Sequence, residues 1–321
     1  MPSRIAALVA CLAFAGPAAA EWRTDFIDTP GPVTAIEADA AGLRIAVGQD
    51  WYSLAADTAR MQPAKPPPGP PLPANALPDG RLAMGQTTIA RAWFAAPTAR
   101  YRHGVLGDAI EAGSLAIERH DGRNGIVTLS ANAVFEDLWP RIVKLDGIER
   151  IVAIKSYLNS GSAVAIIDAN AMAIIAETPP IGRPNAWMNP AGIADYDGDG
   201  TVDIAVVRQP HVVGRLELWS WRRQALKKIA EVTDVSNHVI GSRALGMSWT
   251  SDFDGDGHPD LAVPSLDRRT LRLIAFTPHV RDIARIAIPA RATSNIGSTM
   301  FNGRPALVMA LEDGRLIIVH D

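Results

Sequence analysis

Residues 195–207 read Asp-Tyr-Asp-Gly-Asp-Gly-Thr-Val-Asp-Ile-Ala-Val-Val, and residues 252–263 repeat the pattern as Asp-Phe-Asp-Gly-Asp-Gly-His-Pro-Asp-Leu-Ala-Val. Alternate carboxylates in a tight loop converge on one point, and glycine at the sixth place permits the turn they need. Hard divalent cations take such oxygen clusters, and Ca²⁺ accepts six to eight oxygens in a flexible geometry. The expected ligands of one Ca²⁺ are the carboxylates of Asp195, Asp197, Asp199 and Asp203 with the backbone carbonyl of Thr201. Those of a second are Asp252, Asp254, Asp256 and Asp260 with the carbonyl of His258. An EF-hand would need glutamate at the twelfth place and flanking helices. Val206 and Val263 stand there instead, inside strand-forming runs, so the two loops read as calcium sites set in β-hairpins. Four carboxylates per loop repel strongly without cationic neighbours. The ion's expected role is structural, locking the turn between a first and a second strand.

The apolar run behind each loop recurs elsewhere without the acids. Residues 43–47, 81–84, 114–117, 150–154, 203–207, 260–263 and 305–309 each carry three or four residues drawn from Ile, Val, Leu, Ala and Met. Taking 44, 81, 114, 150, 203, 260 and 305 as markers, the copies lie 33 to 57 residues apart. Asp79-Gly80, Asp146-Gly147 and Asn302-Gly303 supply hairpin turns that tolerate positive φ. Short strands with turns at this frequency indicate an all-β fold, and a repeat of this length favours a propeller of small twisted sheets. The expectation is a seven-bladed β-propeller spanning 21–321. In the fifth copy, residues 191–194 form the inner strand, then 203–207, 215–221 and 226–232 follow outward. The seventh copy ends before an outer strand, so residues 22–27 are expected to pair with 315–319 and close the ring, because an unpaired edge templates aggregation. Residues 62–73 (QPAKPPPGPPLP) cannot form helix or central strand and read as an extended connector or a proline-rich ligand.

Residues 1–20 have a short basic start, an apolar stretch from 5 to 15, and an Ala-x-Ala end, the pattern of a secretory signal peptide. No later stretch offers eighteen continuous apolar residues, so no integral membrane segment is expected after cleavage. Periplasmic or secreted localisation follows. The single cysteine, Cys11, lies in the leader, which excludes a disulfide framework and a cysteine zinc site. Without Arg4 the chain carries 30 basic and 34 acidic residues, a net charge of -4 that two Ca²⁺ would neutralise. That balance excludes sequence-independent nucleic-acid binding. Gly 26 and Pro 24 in 321 residues favour turns over long helices.

At the acidic loops the chain resembles the FG-GAP/VCBS repeat family, which includes the propeller of integrin α chains. The resemblance runs over residues 192–207 and 249–263 and implies a seven-bladed propeller with Ca²⁺ in hairpin loops. Two of the seven copies keep the acidic loop, and the Phe-Gly/Gly-Ala-Pro signature is absent. Members of the family serve adhesion, glycan binding and attachment to catalytic domains.

Trp187 and Trp249 precede the acidic loops and are the candidates for stacking on a sugar ring, against the general tendency of tryptophan to be buried. The phrase Ser236-Asn237-His238 recurs in part as Ser294-Asn295, and such loops would gather near one end of a central channel. Asn237 and His238 are therefore candidate ligand contacts, with turn-forming hydrogen bonds as the alternative. His103, His211 and His238 do not follow a metal-ligand spacing. No nucleophile elbow or phosphate loop is present. A non-enzymatic binding module for an unknown protein or glycan partner fits these features. A glycan-binding lectin and a polysaccharide-active enzyme are the alternatives, the latter needing paired carboxylates from among Glu111, Glu118, Asp121 and Glu136.

Overall fold

The computed structural model describes residues 21–39, 42–55 and 57–321, and the expected leader at 1–20 lies outside them. Among the described residues every regular element is a strand. Strand β1 is Arg23–Ile27. A first four-stranded sheet follows: β2 Val33–Asp39, β3 Gly42–Val47, β4 Asp50–Leu54 and β5 Met61–Ala64. Then come β6 Ala83–Met84, β7 Ile89–Thr98, β8 Glu111–Arg119 and β9 Asn124–Thr128. The next set is β10 Ala133–Phe135, β11 Arg141–Leu145, β12 Ile148–Tyr157, β13 Gly161–Asp168 and β14 Ala173–Glu177. Two further sheets are β15 Met188–Ala194, β16 Asp203–Arg208, β17 Arg215–Arg222 and β18 Ala225–Thr233, and β19 Trp249–Ser251, β20 Asp260–Pro264, β21 Thr270–Ala275 and β22 Arg281–Ala287. The last strands are β23 Gly297–Phe301, β24 Arg304–Ala310 and β25 Leu316–His320.

The expectation of an all-β chain of small antiparallel sheets holds, but the count of units differs. Four sheets have four strands, and one of nine strands is two units joined where Phe135 of β10 faces Ala112 of β8. The described strands therefore make six four-stranded units rather than seven, with β10 and β11 acting as one interrupted strand along β12. The sequence copies at 81–84 and 114–117 share a unit, the first supplying the two-residue β6 and the second part of β8. Prolines explain the merger. Residues 65–82 hold no strand, because their prolines lack the amide donors a separate sheet would need. Pro63 is accommodated in β5, opposite Tyr52, since that strand is an edge.

Burial follows strand position. Every residue of β13 and β20 is buried, whereas the outer strand β18 is largely exposed. Covered on both faces, central strands read as continuous apolar runs, which is why they carried the repeat. Neighbouring sheets share apolar seams: Ile36 and Ile45 pack with Val308 and Ile318, Ala205 and Leu218 with Leu261 and Val263, and Leu273 with Leu307 and Ile317. Between the first and second units the link includes ions, with Arg81 donating to both oxygens of Glu37 at 2.6 and 2.7 Å.

The N-terminal strand pairs with the last strand as expected, the paired ranges differing by one residue from those expected. β1 lies antiparallel to β25 from Arg23 opposite His320 to Ile27 opposite Leu316, giving the last sheet its fourth strand. His320 Nε2 lies 2.8 Å from an Asp25 oxygen. Deleting residues 21–28 should lower the melting temperature by roughly 10 °C, a loss of a few kcal/mol for a chain of this size; an unchanged melt would show that β1 is dispensable.

Glu149, in β12, ties the merged units together. Its carboxylate accepts four backbone N–H bonds, from Gln86, Thr87, Thr88 and Ile89, at 2.7 to 3.0 Å. Gly85 is required there, since a Cβ would lie 2.2 Å from the Ile89 carbonyl oxygen. Burial acts to raise the Glu149 pKa, but the four donors outweigh it and hold the group at about 2, below its ordinary 4.5. A depressed carboxylate stabilises the fold above its unfolded pKa and loses that contribution as pH falls toward 2. Glu149→Gln should cost about 2 kcal/mol at neutral pH and flatten the acid limb of a stability–pH curve measured by urea denaturation.

Candidate functional site

The first acidic loop joins β15 to β16, and its turns are built from its own aspartates. Asp195 accepts from the backbone N–H groups of Asp199 at 3.1 Å and Gly200 at 2.8 Å. Gly198 and Gly200 have φ of +70° and +85°, a conformation that costs an L side chain energy. In the second loop Asp252 accepts from Gly255 at 2.7 Å and Gly257 at 2.9 Å, with φ of +76° and +87° at those glycines. The two loops share the bond from the sixth-place glycine to the first aspartate and differ in the other, which comes from Asp199 in the first loop and Gly255 in the second.

Each loop gathers three carboxylates. Asp195, Asp197 and Asp203 offer oxygens within 4.8 Å of one another, and Asp252, Asp254 and Asp260 do the same. Asp199 and Asp256 are outside these clusters; each accepts the N–H two residues on, from Thr201 and His258, at 2.8 Å. Asp203 and Asp260 open β16 and β20 and are buried. One oxygen of Asp203 accepts from Tyr196 N at 3.0 Å, while Oδ1 is buried without a well-formed hydrogen bond. Asp260 accepts from Phe253 N at 2.8 Å. Burial, then the charge of Asp197, pushes Asp203 up to about 6, and burial with the charges of Asp254, Asp256 and Asp252 does the same to Asp260.

The loops do have cationic neighbours, contrary to the expectation from sequence. Arg222, at the end of β17, donates to Asp197 at 2.9 Å and lies 2.6 Å from Asp199. Arg281, at the start of β22, donates to Asp254. Spacing gave no signal for these arginines, since each comes from another strand of its sheet.

The loops also meet across the seam between their sheets. A Cβ on Gly198 would lie 2.5 Å from the His258 ring, so the imidazole of one loop covers the other. The buried Tyr196 hydroxyl is 2.6 Å from Thr250 Oγ1, and its carbonyl accepts from Thr277 Oγ1 at 3.0 Å. Arg281 donates to the Thr277 carbonyl as well as to Asp254, completing a chain of contacts between the loops.

Residues 195–263 match the FG-GAP-like repeat. The matched span holds both acidic loops and the seam between them, so the FG-GAP-like region coincides with the carboxylate clusters. No curated protein matches the chain. Among solved structures, BBS1N in complex with ARL6DN, soaked with lead, aligns at 12% identity over 92% of this chain and 95% of that chain, with a TM-score of 0.39. The same complex soaked with mercury aligns at 14% identity, 93% and 96% coverage and TM-score 0.40. Luciferin-regenerating enzyme aligns at 11% identity, 94% and 96% coverage and TM-score 0.42.

The remaining sequence candidates lie in packed positions. Trp187 is 2% exposed, its indole N–H donates to the Glu136 carbonyl at 3.0 Å, and its ring lies against His211 and His238, so it offers no open face for stacking. Trp249 is partly buried against the cluster around Met247. Asn237 donates to the carbonyls of Asn189 and Pro190 at 3.3 and 3.1 Å, and Asn189 donates back to the carbonyls of Asn237 and Leu245 at 3.2 and 2.9 Å. His238 is buried between His211 and the Ser242 carbonyl. Asn295 links units in the same way, donating to the Ile36 carbonyl and accepting from Gly246 N, both at 2.8 Å. The Ser-Asn phrases therefore work as straps.

Of the four acids considered for catalysis, Glu118 is held by Arg91, and Asp121 by Arg119 and Arg123. Glu111 and Glu136 flank the Phe135–Ala112 junction and are 1% and 0% exposed. Burial, then each other's charge at Glu111, raises both pKa values. Both carboxyls are buried, and the oxygens of Glu136 are bonded to His103 and Ser156.

Proposed function

We propose that the chain is an exported, Ca²⁺-binding β-propeller of six four-stranded units, closed by its N-terminal strand, that acts as a non-enzymatic interaction module in the periplasm or outside the cell. The observation carrying the calcium reading is the pair of three-carboxylate clusters, one with Asp203 Oδ1 buried short of a well-formed hydrogen bond and the Ser220 hydroxyl as its neighbour. A buried carboxylate oxygen so poorly bonded is costly, and a bound cation is the direct remedy. The donors are all oxygen, the set hard cations select. Asp195, Asp197 and Asp203 would hold one ion, joined by Asp199 and the Thr201 carbonyl; Asp252, Asp254 and Asp260 would hold the other, joined by Asp256 and the His258 carbonyl. Arg222 and Arg281 stand in as counter-charges and would yield their carboxylates to the ions. The ion would supply charge neutralisation and a fixed turn, not chemistry.

The ring reading draws on neighbouring sheets sharing seams, with the first sheet packed against the last and tied by ions to the second unit. Export draws on the leader pattern of residues 1–20. Calorimetric titration of residues 21–321 should give two Ca²⁺ per chain. Ca²⁺ at a hundred times the dissociation constant should stabilise by about 2.7 kcal/mol per site, visible as a raised melting temperature that EGTA reverses. Replacing Asp197 and Asp254 together by Ala should remove both the heat and the shift. No heat, and a melt indifferent to EGTA, would leave the clusters as plain acidic turns.

A further inference from the structure

A cavity of about 190 Å³ is lined by His103, Asn185, Trp187, Gln209 and His211, which come from three different connections: β7–β8, β14–β15 and β16–β17. Ile240, from the connection between β18 and β19, and Val212 complete its apolar rim, at 65% and 71% exposure. No Asp, Glu, Lys or Arg is among the lining residues. Convergence of loops from several units on one hollow is what a binding site in a repeat fold looks like.

Hydrogen bonding sets the character of the imidazoles. His238 Nε2 lies 2.9 Å from the Ser242 carbonyl, which can only accept, so that nitrogen carries the proton. In the neutral ring Nδ1 is then an acceptor, and His211 Nε2, 2.9 Å away, must donate to it. His211 Nδ1 is left as a lone pair, with no hydrogen-bond partner among the described residues. Burial first, with neighbouring positive charge for His211 and the partner ring for His238, lowers the pair to about 4 and about 3, which keeps this arrangement uncharged at neutral pH. His103 Nδ1 is likewise committed, 2.5 Å from Glu136 Oε1, and its Nε2 has no hydrogen-bond partner among the described residues. Ser156 occupies the other Glu136 oxygen and Ser162 backs Ser156 at 2.7 Å, so that carboxylate is spent inside the fold.

Two carboxamides face the same hollow. Asn185 and Gln209 have φ of +52° and +49°, and no hydrogen bond engages their side chains among the described residues. The Gln209 carbonyl accepts from Val212, Val213 and Gly214, which holds the turn and the position of its side chain. Backbone strain of this kind at two lining residues is a cost that a site can justify.

We propose that this cavity binds a neutral, hydroxyl-rich ligand, a terminal saccharide unit, with its hydroxyls donating to His211 Nδ1, meeting His103 Nε2 and bridging the Asn185 and Gln209 carboxamides. An ionic ligand would find no opposite charge among the lining residues, and burying one uncompensated is unfavourable. Neutral hydroxyls, which both donate and accept, match what is there: the acceptor nitrogen of His211, the outer ring nitrogen of His103 and two amides that each both donate and accept. Val212 and Ile240 at the rim suit the C–H face of a sugar ring, since Trp187 is covered. The proposal rests on reading the chain as a binding module, and does not depend on calcium in the acidic loops.

The test is saturation-transfer NMR on residues 21–321 with glucose, galactose, mannose, N-acetylglucosamine and cellobiose, each at millimolar concentration, with and without EGTA. Transfer to at least one sugar is expected in both conditions, weakened about tenfold or more in Asn185→Ala and Gln209→Ala variants whose circular dichroism is unchanged. No transfer to any of the five overturns the proposal. So does transfer that both variants keep, or that disappears with EGTA or with Asp197 and Asp254 replaced, because the sugar would then sit elsewhere. Stoichiometric Zn²⁺ binding lost in His211→Ala, with no sugar transfer, would make the cavity a metal site instead. Failure here with Ca²⁺ still raising the melting temperature would leave the calcium reading standing.

Discussion

Two carboxylates that belong in water, Asp203 and Asp260, open the buried central strands of adjacent sheets, and the surrounding structure is arranged around that cost. Each takes a backbone N–H from the residue after its loop's first aspartate. Each has two further acids brought beside it and an arginine brought from another strand. Removing a charge from water costs several kcal/mol unless it is paired and bonded. Asp203 Oδ1 is buried short of a well-formed hydrogen bond, with the Ser220 hydroxyl the neighbour that offsets part of its burial. The same strands supply the apolar seam of Ala205, Val207, Leu261 and Val263, so whatever settles the loops also settles the packing between two sheets.

The seam explains why the loops act as a pair. The His258 ring lies on Gly198, Tyr196 reaches Thr250, and Thr277 links Tyr196 to Arg281 and thence to Asp254. Any residue with a side chain at 198 would push the ring away, beyond the strain its φ imposes. An ordered turn in one sheet therefore helps order the other, and straps through Asn237 and Asn295 bind neighbouring elements further along. A frame held in this way leaves the connecting loops free to carry recognition, as with the strained Asn185 and Gln209.

Local patterns were legible in sequence and long-range ones were not. The spacing of aspartate and glycine located both loops, because three of the clustered carboxylates fall within nine consecutive residues. The four strands of the unit at 188–233 were drafted correctly, since alternation and turns mark them. β1 was found because the last unit ran out of chain. The count of units failed at 81–84, where an apolar run signals a strand without telling its place in a sheet, and the proline-rich stretch before it holds no strand to complete a separate unit. Arg222, Arg281 and Glu149 were missed because each acts on a loop distant in sequence. Trp187 and His238 are candidate ligand contacts by sequence, and the structure buries both among Glu136, His211 and the Ser242 carbonyl, neighbours that sequence spacing does not bring together.

Hydrogen exchange followed by mass spectrometry, with Ca²⁺ and with EGTA, tests the paired loops most directly. The account predicts that Ca²⁺ slows exchange together in peptides covering Tyr196 to Gly200 and Phe253 to Gly257, and that Asp197→Ala alone weakens protection in both. Protection that changes in one loop while the other is indifferent, or that does not change with Ca²⁺ at all, would contradict it.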